Sequence, residues 1–376
     1  MTTSNDSEWR FLGKGPNRCP FVDDVLTFPL HQVWRTQLDT MIHRQPVSDG
    51  EDLYVCSMST CYRVDKNTGE IRWSQPALEA SGFPMNVMKI APAVYRDRVY
   101  CTDLSGRLYC FDKETGQLRW TKDKIGAFEV SPCIVKDRIY ISSKDRMENW
   151  KRSFYCLDLE GNIHWKFSSD SNIKTIDGAV QEGILVITDD NNAYGLDSIS
   201  GSIIWQHDFS DSPGKGTAGS FVMINGNTVL LPGGRALNGM DLYTGEIHWR
   251  HQARFVFDRK GQPCGIAALA ATPDYLMYTT IDEVHVVDMK KGELVSVFNT
   301  SQHQLQDTVA RIGLIVGQHY LVNYGQAEKI VAYNWQTGEA DWMFKAQGQF
   351  FYNSAIYVSG QLFFGNVGGY LYCFAP

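Results

Sequence analysis

Short apolar runs separated by polar turns recur from one end of the chain to the other. Leu108-Tyr109-Cys110-Phe111 is wholly apolar, as a strand covered on both faces would be. Asp112-Lys113-Glu114-Thr115-Gly116 then reads as a tight turn, in which Asp bonds the backbone two residues on and Gly supplies positive φ. The next strand, Gln117-Leu118-Arg119-Trp120, carries a Trp with enough apolar area to lock one sheet against its neighbour. Upstream, Ala93–Cys101 and Cys133–Ile141 read as hairpins turning at Arg96-Asp97 and Lys136-Asp137. Each unit therefore holds four strands, and no long amphipathic helix is predicted.

The turn recurs at Asp65, Asp112, Asp158, Asp197, Asp241, Asp288 and Asn334, spaced 39 to 47 residues apart. That is the period of a propeller blade. Every copy keeps its Gly, and six of the seven keep the following Trp; the sixth has Ser296 instead. The C-terminal stretch supplies three more strands and stops at Pro376, while Gln32–Thr36 stands alone before the first complete unit. The chain is thus expected to be all-β, an eight-bladed β-propeller of four-stranded antiparallel blades. An N-terminal strand would complete the C-terminal blade and close the ring without free sheet edges. Residues 1–30 are expected to form a strap outside the repeats, and 31–376 a single propeller.

Composition narrows the partners. The formal charge of −7, with no basic run, disfavours nucleic acid. No stretch reaches the roughly 18 apolar residues of a membrane span, and Met1–Glu8 has no signal-peptide pattern. The nine cysteines include no CxxC pair. Cys110, Cys156 and Cys373 share one repeat position, where two other copies have Gly, so a small buried packing site is expected. Cys19 reads as a surface thiol. These features together lead to the expectation of a cytoplasmic protein.

Function is sought where the repeats differ. The segments entering the innermost strands converge on a central funnel. They place Lys89, Phe128, Glu129, Asp177, Lys215, Asp307, Tyr352 and Asn353 around one mouth. Charges of both signs on a concave surface suit a polar ligand or a peptide, and the plainer reading is that they pair through channel water. Glu129, Asp177 and Asp307 are oxygen donors of the type calcium takes, but no spacing assembles them, and no metal site is expected. No nucleophile elbow, phosphate loop or dinucleotide fingerprint occurs. The stretch Ser142–Ser153 is longer than its counterpart Asp103–Gly106. Read as a loop, it offers Arg146, Met147, Trp150 and Lys151 for docking a partner.

The phrase Leu-Tyr-Cys-Phe-Asp-x-x-Thr-Gly-x-x-x-Trp resembles the quinoprotein (PQQ-like) repeat. Glu8–Gly13, Pro29-Leu30 and Val33-Trp34 resemble the start of BamB-like proteins. The resemblance spans nearly the whole chain. It implies an eight-bladed propeller, used either for outer-membrane assembly or for PQQ- and calcium-dependent alcohol oxidation. The adjacent cysteines that the dehydrogenases typically carry near the cofactor have no counterpart here. The expectation is a non-catalytic module for a protein partner, with no cofactor, acting as a monomer or as a subunit of a complex. The alternative is a PQQ-dependent oxidoreductase, or a small-molecule sensor, working in the funnel.

Overall fold

A computed structural model describes residues 8–78, 87–88, 90–123, 131–145, 151–169, 173, 178–210, 222–233, 236–252, 256–257, 263–264, 267–280, 283–300, 313–325, 327–348 and 354–376. Among them every regular element longer than a turn is a strand. Blade 1 is formed by Val47–Ser48, Asp52–Cys56, Thr60–Asp65 and Ile71–Pro76, hydrogen-bonded in that order. Blades 2 to 7 repeat this meander within 93–122, 133–167, 179–208, 223–251, 267–299 and 314–345. Blade 8 takes Ile356–Val358, Gln361–Gly365 and Tyr370–Ala375 from the C-terminus and His31–Gln37 from the N-terminus. The closing strand runs antiparallel with His31 opposite Ala375, Trp34 opposite Cys373 and Gln37 opposite Tyr370. The protein is the eight-bladed propeller that the repeat predicts.

The recurring Asp, Gly and Trp are a docking device. Asp65 accepts the N–H groups of Asn67 and Thr68, which closes the turn and sets Gly69 at φ 75°. A Cβ on Gly69 would lie 2.7 Å from the ring of Trp34, so the bare backbone is the seat for the preceding blade's indole. Trp73 sits likewise on Gly116, Trp165 on Gly201, Trp205 on Gly245 and Trp249 on Gly292. Each of these five indole N–H groups donates to the carbonyl just after the next blade's turn Asp, at 2.7 to 3.3 Å.

Two departures have physical causes. The third turn is one residue shorter, and its Leu159 carbonyl already accepts from Arg98 Nη1 and the Tyr100 hydroxyl. The Trp120 indole N–H is left without a partner among the described residues. In blade 6, where Ser296 replaces the Trp, Phe298 packs on Gly338 instead. The small-residue position of the third strand is also explained. Gly195 and Gly239 lie opposite Trp205 and Trp249, whose rings would stand 2.2 and 2.1 Å from an added Cβ.

The core lies between the blades. Clusters such as Ile134, Ile139, Ile141 and Leu157 with Tyr100, Leu108 and Cys110 bridge neighbouring sheets. First strands of neighbouring blades approach one another, which places them around the axis.

The stretch Ser142–Ser153 differs from the expectation. Arg138–Asp145 and Lys151–Asp158 are paired strands, with Asp145 opposite Lys151. Lys151 therefore begins a strand and is no loop residue. Arg152, its neighbour, is buried and donates from Nη1 to Ser142 Oγ at 3.1 Å. The unusual length is an extended hairpin, hidden in the sequence by its charged residues.

Candidate functional site

The centre of the ring is occupied by the protein's own N-terminal segment. Trp9 exchanges two backbone hydrogen bonds with Ser48 of blade 1. The carbonyl of Arg10 accepts from Val94 of blade 2, that of Pro16 from Val180 of blade 4, and that of Asn17 from Ile224 of blade 5. Cys19 Sγ donates to the Ala271 carbonyl of blade 6. Phe21–Val22 then adds to Leu314–Val316 as a parallel fifth strand of blade 7. Asp24 next accepts the Tyr357 hydroxyl of blade 8 at 3.1 Å. The segment makes one lap inside the ring before leaving as the closing strand. Trp9, Phe11, Leu12, Val22, Leu26 and Leu30 are buried along the way.

This lap follows from chemistry. The innermost strands present unpaired N–H and C=O groups to the channel, and an irregular segment can satisfy them without any sequence period of its own. Arg18 is the polar centre of the arrangement. It is 1% exposed, with Nη1 on the Leu12 carbonyl at 2.8 Å, Nε on Gly178 at 3.3 Å and Nη2 on Ser131 at 3.5 Å. A buried guanidinium surrounded by carbonyls ties the strap to the entries of blades 3 and 4. The Gln45 amide adds a second tie: its oxygen accepts from Trp9 Nε1 and the Gly13 N–H, and its nitrogen meets Ser354 Oγ. Cys19 is no surface thiol; it faces inward, and burial pushes its pKa up to about 12.

The strap pairs beside the turns that join first to second strands, at Arg96-Asp97, Glu182-Gly183 and Gly317-Gln318. The opposite face carries the second-to-third-strand turns and the crossovers between blades. There Met88 N bonds the Met58 carbonyl and Leu104 N bonds that of Val87. Buried side chains pin the turns on this face. Asp103 accepts the Gly106 and Arg107 N–H groups and the Tyr109 hydroxyl, and Asp189 serves Asn191, Asn192 and Tyr194 in the same manner. Beside them, Asp39 accepts from Ser59 Oγ and Thr60 Oγ1. Partial burial raises its pKa, but these hydroxyl donors outweigh that and bring it down to about 2.

The funnel residues expected from the sequence, Lys89, Phe128, Glu129, Asp177, Lys215, Asp307, Tyr352 and Asn353, lie outside the described residues, as do Arg146, Met147 and Trp150. The flanks of their segments end on the crossover face, so that face is where the chain varies between blades. Two features escaped sequence reasoning. One is Arg18, which sits in a segment without a period. The other is a cluster of Cys56, Cys61 and Cys101, whose sulfur atoms lie within 4.8 Å of one another. Its sequence signal was a pair of cysteines flanking a hairpin turn, at 56 and 61.

Comparison with known proteins locates this architecture. The family model described as outer membrane protein assembly factor BamB matches residues 31–145, 57–172 and 151–375. The BamB of Nitrosomonas eutropha is 22% identical over 236 residues, which cover 61% of this chain and 54% of that protein. The chain thus spans about half the length of that relative. The crystal structure of BamB from Moraxella catarrhalis superposes with a TM-score of 0.68 at 15% identity, covering 93% of this chain and all of that one. A europium-containing methanol dehydrogenase superposes at 0.77 with 12% identity, covering 99% and 98%. At these identities the superpositions establish the fold.

The cytoplasmic expectation is overturned by the family match, since a family described by outer-membrane assembly does not fit that compartment. The physical error lay in the cysteines. Seven of the eight described free thiols are buried, so packing keeps them apart from solvent and their number reports no compartment. With its repeat, closing strand and matched span taken together, the chain belongs to the PQQ-like repeat family of outer membrane protein assembly factor BamB.

Proposed function

We propose that this chain is a non-catalytic protein-binding propeller that offers its crossover face to a protein partner. The lap of residues 9–24 inside the ring carries the reading. The strap pairs through its backbone with the inner strands of blades 1, 2, 4, 5 and 7, and Arg18 spends its donors on backbone carbonyls. What differs between blades is then the set of turns and crossovers on the opposite face. The assembly role printed for the matched family supports a protein partner.

A site-specific photo-crosslinker tests the face. Placed at Asn191 or Met58, on the crossover side, it is expected to capture a discrete partner in cells of the source organism. Placed at Glu182 or Tyr243, on the strap side, it is expected to capture none. Equal capture from both sides would sink the assignment.

A second reading, a quinone-dependent oxidoreductase, is favoured by the superposition on methanol dehydrogenase. The missing adjacent cysteine pair weighs against it. Titration with PQQ plus calcium or a lanthanide separates the two readings: saturable binding with dye-linked alcohol oxidation would establish the second.

A further inference from the structure

Blades 1 and 2 hold a group that neither reading uses. Cys56 ends the second strand of blade 1 and pairs directly with Cys61, which lies one residue into the third. Cys101 reaches the same point from the second strand of blade 2. Its sulfur is 3.6 Å from that of Cys56 and 3.3 Å from that of Cys61. All three residues are buried, in a core shared with Trp73, Met88 and Tyr109.

The other blades serve as an internal control. At the position of Cys61 they carry Leu108, Phe154, Ala193, Leu237, Val284, Ile330 and Leu371. At the position of Cys101, blade 1 has Val55 and blades 3 and 4 have Ile141 and Ile187. At the position of Cys56, blades 2, 4 and 6 have Thr102, Thr188 and Thr279. Elsewhere the repeat fills these places with aliphatic, aromatic or small polar residues, including Pro232, Asn323 and Gly365 at the position of Cys56 and Tyr278 and Phe364 at that of Cys101, and with no cysteine. Only between blades 1 and 2 do cysteines replace all three, and the three replacements touch. Packing alone does not call for this, because a thiol fills less of a core than Leu or Ile.

We propose that Cys56, Cys61 and Cys101 form a buried site for a soft monovalent metal ion, copper(I). The donors are all sulfur, the ligand type that selects copper(I) or zinc over hard cations. Zinc takes four ligands in structural sites, whereas only three donors gather here among the described residues, which suits the lower coordination number of a monovalent ion. With metal–sulfur bonds of about 2.3 Å, three coplanar sulfurs stand about 4.0 Å apart. The Cys101 sulfur, at 3.6 and 3.3 Å from the other two, needs to recede by about 0.4–0.7 Å to reach that spacing. Burial opposes ionisation of all three thiols. Loading then displaces thiol protons to solvent, so uptake strengthens as pH rises.

The test is an anaerobic titration of the full, reduced chain with copper(I) held by the chromophoric chelator bathocuproine disulfonate. The wild type is expected to withdraw one equivalent and to show an ultraviolet thiolate-to-copper band. Cys61→Leu and Cys101→Val restore the side chains of the other blades, so both variants should fold with unchanged circular dichroism. Each is expected to weaken uptake by more than about tenfold. Cys110→Ala, outside the cluster, is expected to retain it. Wild-type uptake no stronger than that of Cys61→Leu would overturn the proposal, as would uptake of zinc in preference to copper(I). A Cys61–Cys101 disulfide found by peptide mapping of the protein as purified would also overturn it.

Discussion

Replacing Gly245 by Ala asks how much the interblade lock is worth. The residue has φ 72°, and its new Cβ would stand 2.5 Å from Cε3 of Trp205. The left-handed backbone costs an L-residue about 1–2 kcal/mol. Overlap with the indole adds roughly 1–3 kcal/mol, as overpacking in a tight core does. If the ring tilts away to relieve it, the 2.7 Å hydrogen bond from Trp205 Nε1 to the Leu242 carbonyl is lost, worth about 1 kcal/mol. The total is roughly 2–5 kcal/mol if the overlap stays, and about 2–3 kcal/mol if the ring tilts to relieve it. Gly360 is the matched control, with φ 79° and no atom within 4 Å of the added Cβ. There only the backbone cost of about 1–2 kcal/mol applies. Guanidinium unfolding followed by tryptophan fluorescence and circular dichroism should place the Gly245→Ala midpoint well below that of Gly360→Ala. Equal midpoints would show that the Trp–Gly seat is not sterically tight, and the account of blade docking would fail.

Trp205→Phe is expected to cost at least about 1 kcal/mol more than Trp120→Phe, because only Trp205 loses an indole hydrogen bond; calorimetry on both variants checks this. Deleting residues 30–36 removes the fourth strand of blade 8 and should lower the melting temperature of the whole ring, whereas an unchanged melting temperature would refute the shared blade. His251 supplies a pH dependence. Its Nδ1 faces the Gly292 carbonyl at 3.2 Å and so carries the proton, leaving Nε2 to accept from the Tyr278 hydroxyl at 2.8 Å. Burial, partly offset by the Gly292 carbonyl, holds its pKa below the usual value. The unfolded chain then takes up the proton first, so this stabilisation is complete above about pH 6.5 and declines as pH falls. Melting temperatures from pH 8 to 5 should drop more for wild type than for His251→Gln, and parallel curves would refute the assignment.

The blades were legible because each must present the same chemistry to the next. Asp65, Gly69 and Trp34 recur as a set, and the set is a turn, a seat and a plug. The partnership of Gln32–Thr36 with the last strand was legible for a related reason: an unpaired unit at one end implied its missing strand at the other. The path of residues 9–24 was not legible, since its hydrogen bonds run through backbone atoms that any side chain permits. Phe298 could not be assigned in advance to the seat vacated at Ser296, because the two lie on one strand and only packing chooses between them. The cysteine cluster was only half legible, since Cys56 and Cys61 flank one turn while Cys101 meets Cys61 only after two blades stack.

The inner lap has a consequence for how the molecule is made. Synthesis delivers residues 9–37 before the blades that hold them, and the last of those blades is built from residues 356–375. Phe11 can be covered once blades 2 and 3 exist, but the closing strand with Trp34 must wait, unpaired, until residues 370–375 have been made. Ring closure is then governed by the arrival of the blade 8 strands, and a chain stalled before them would expose an unpaired edge to chaperones.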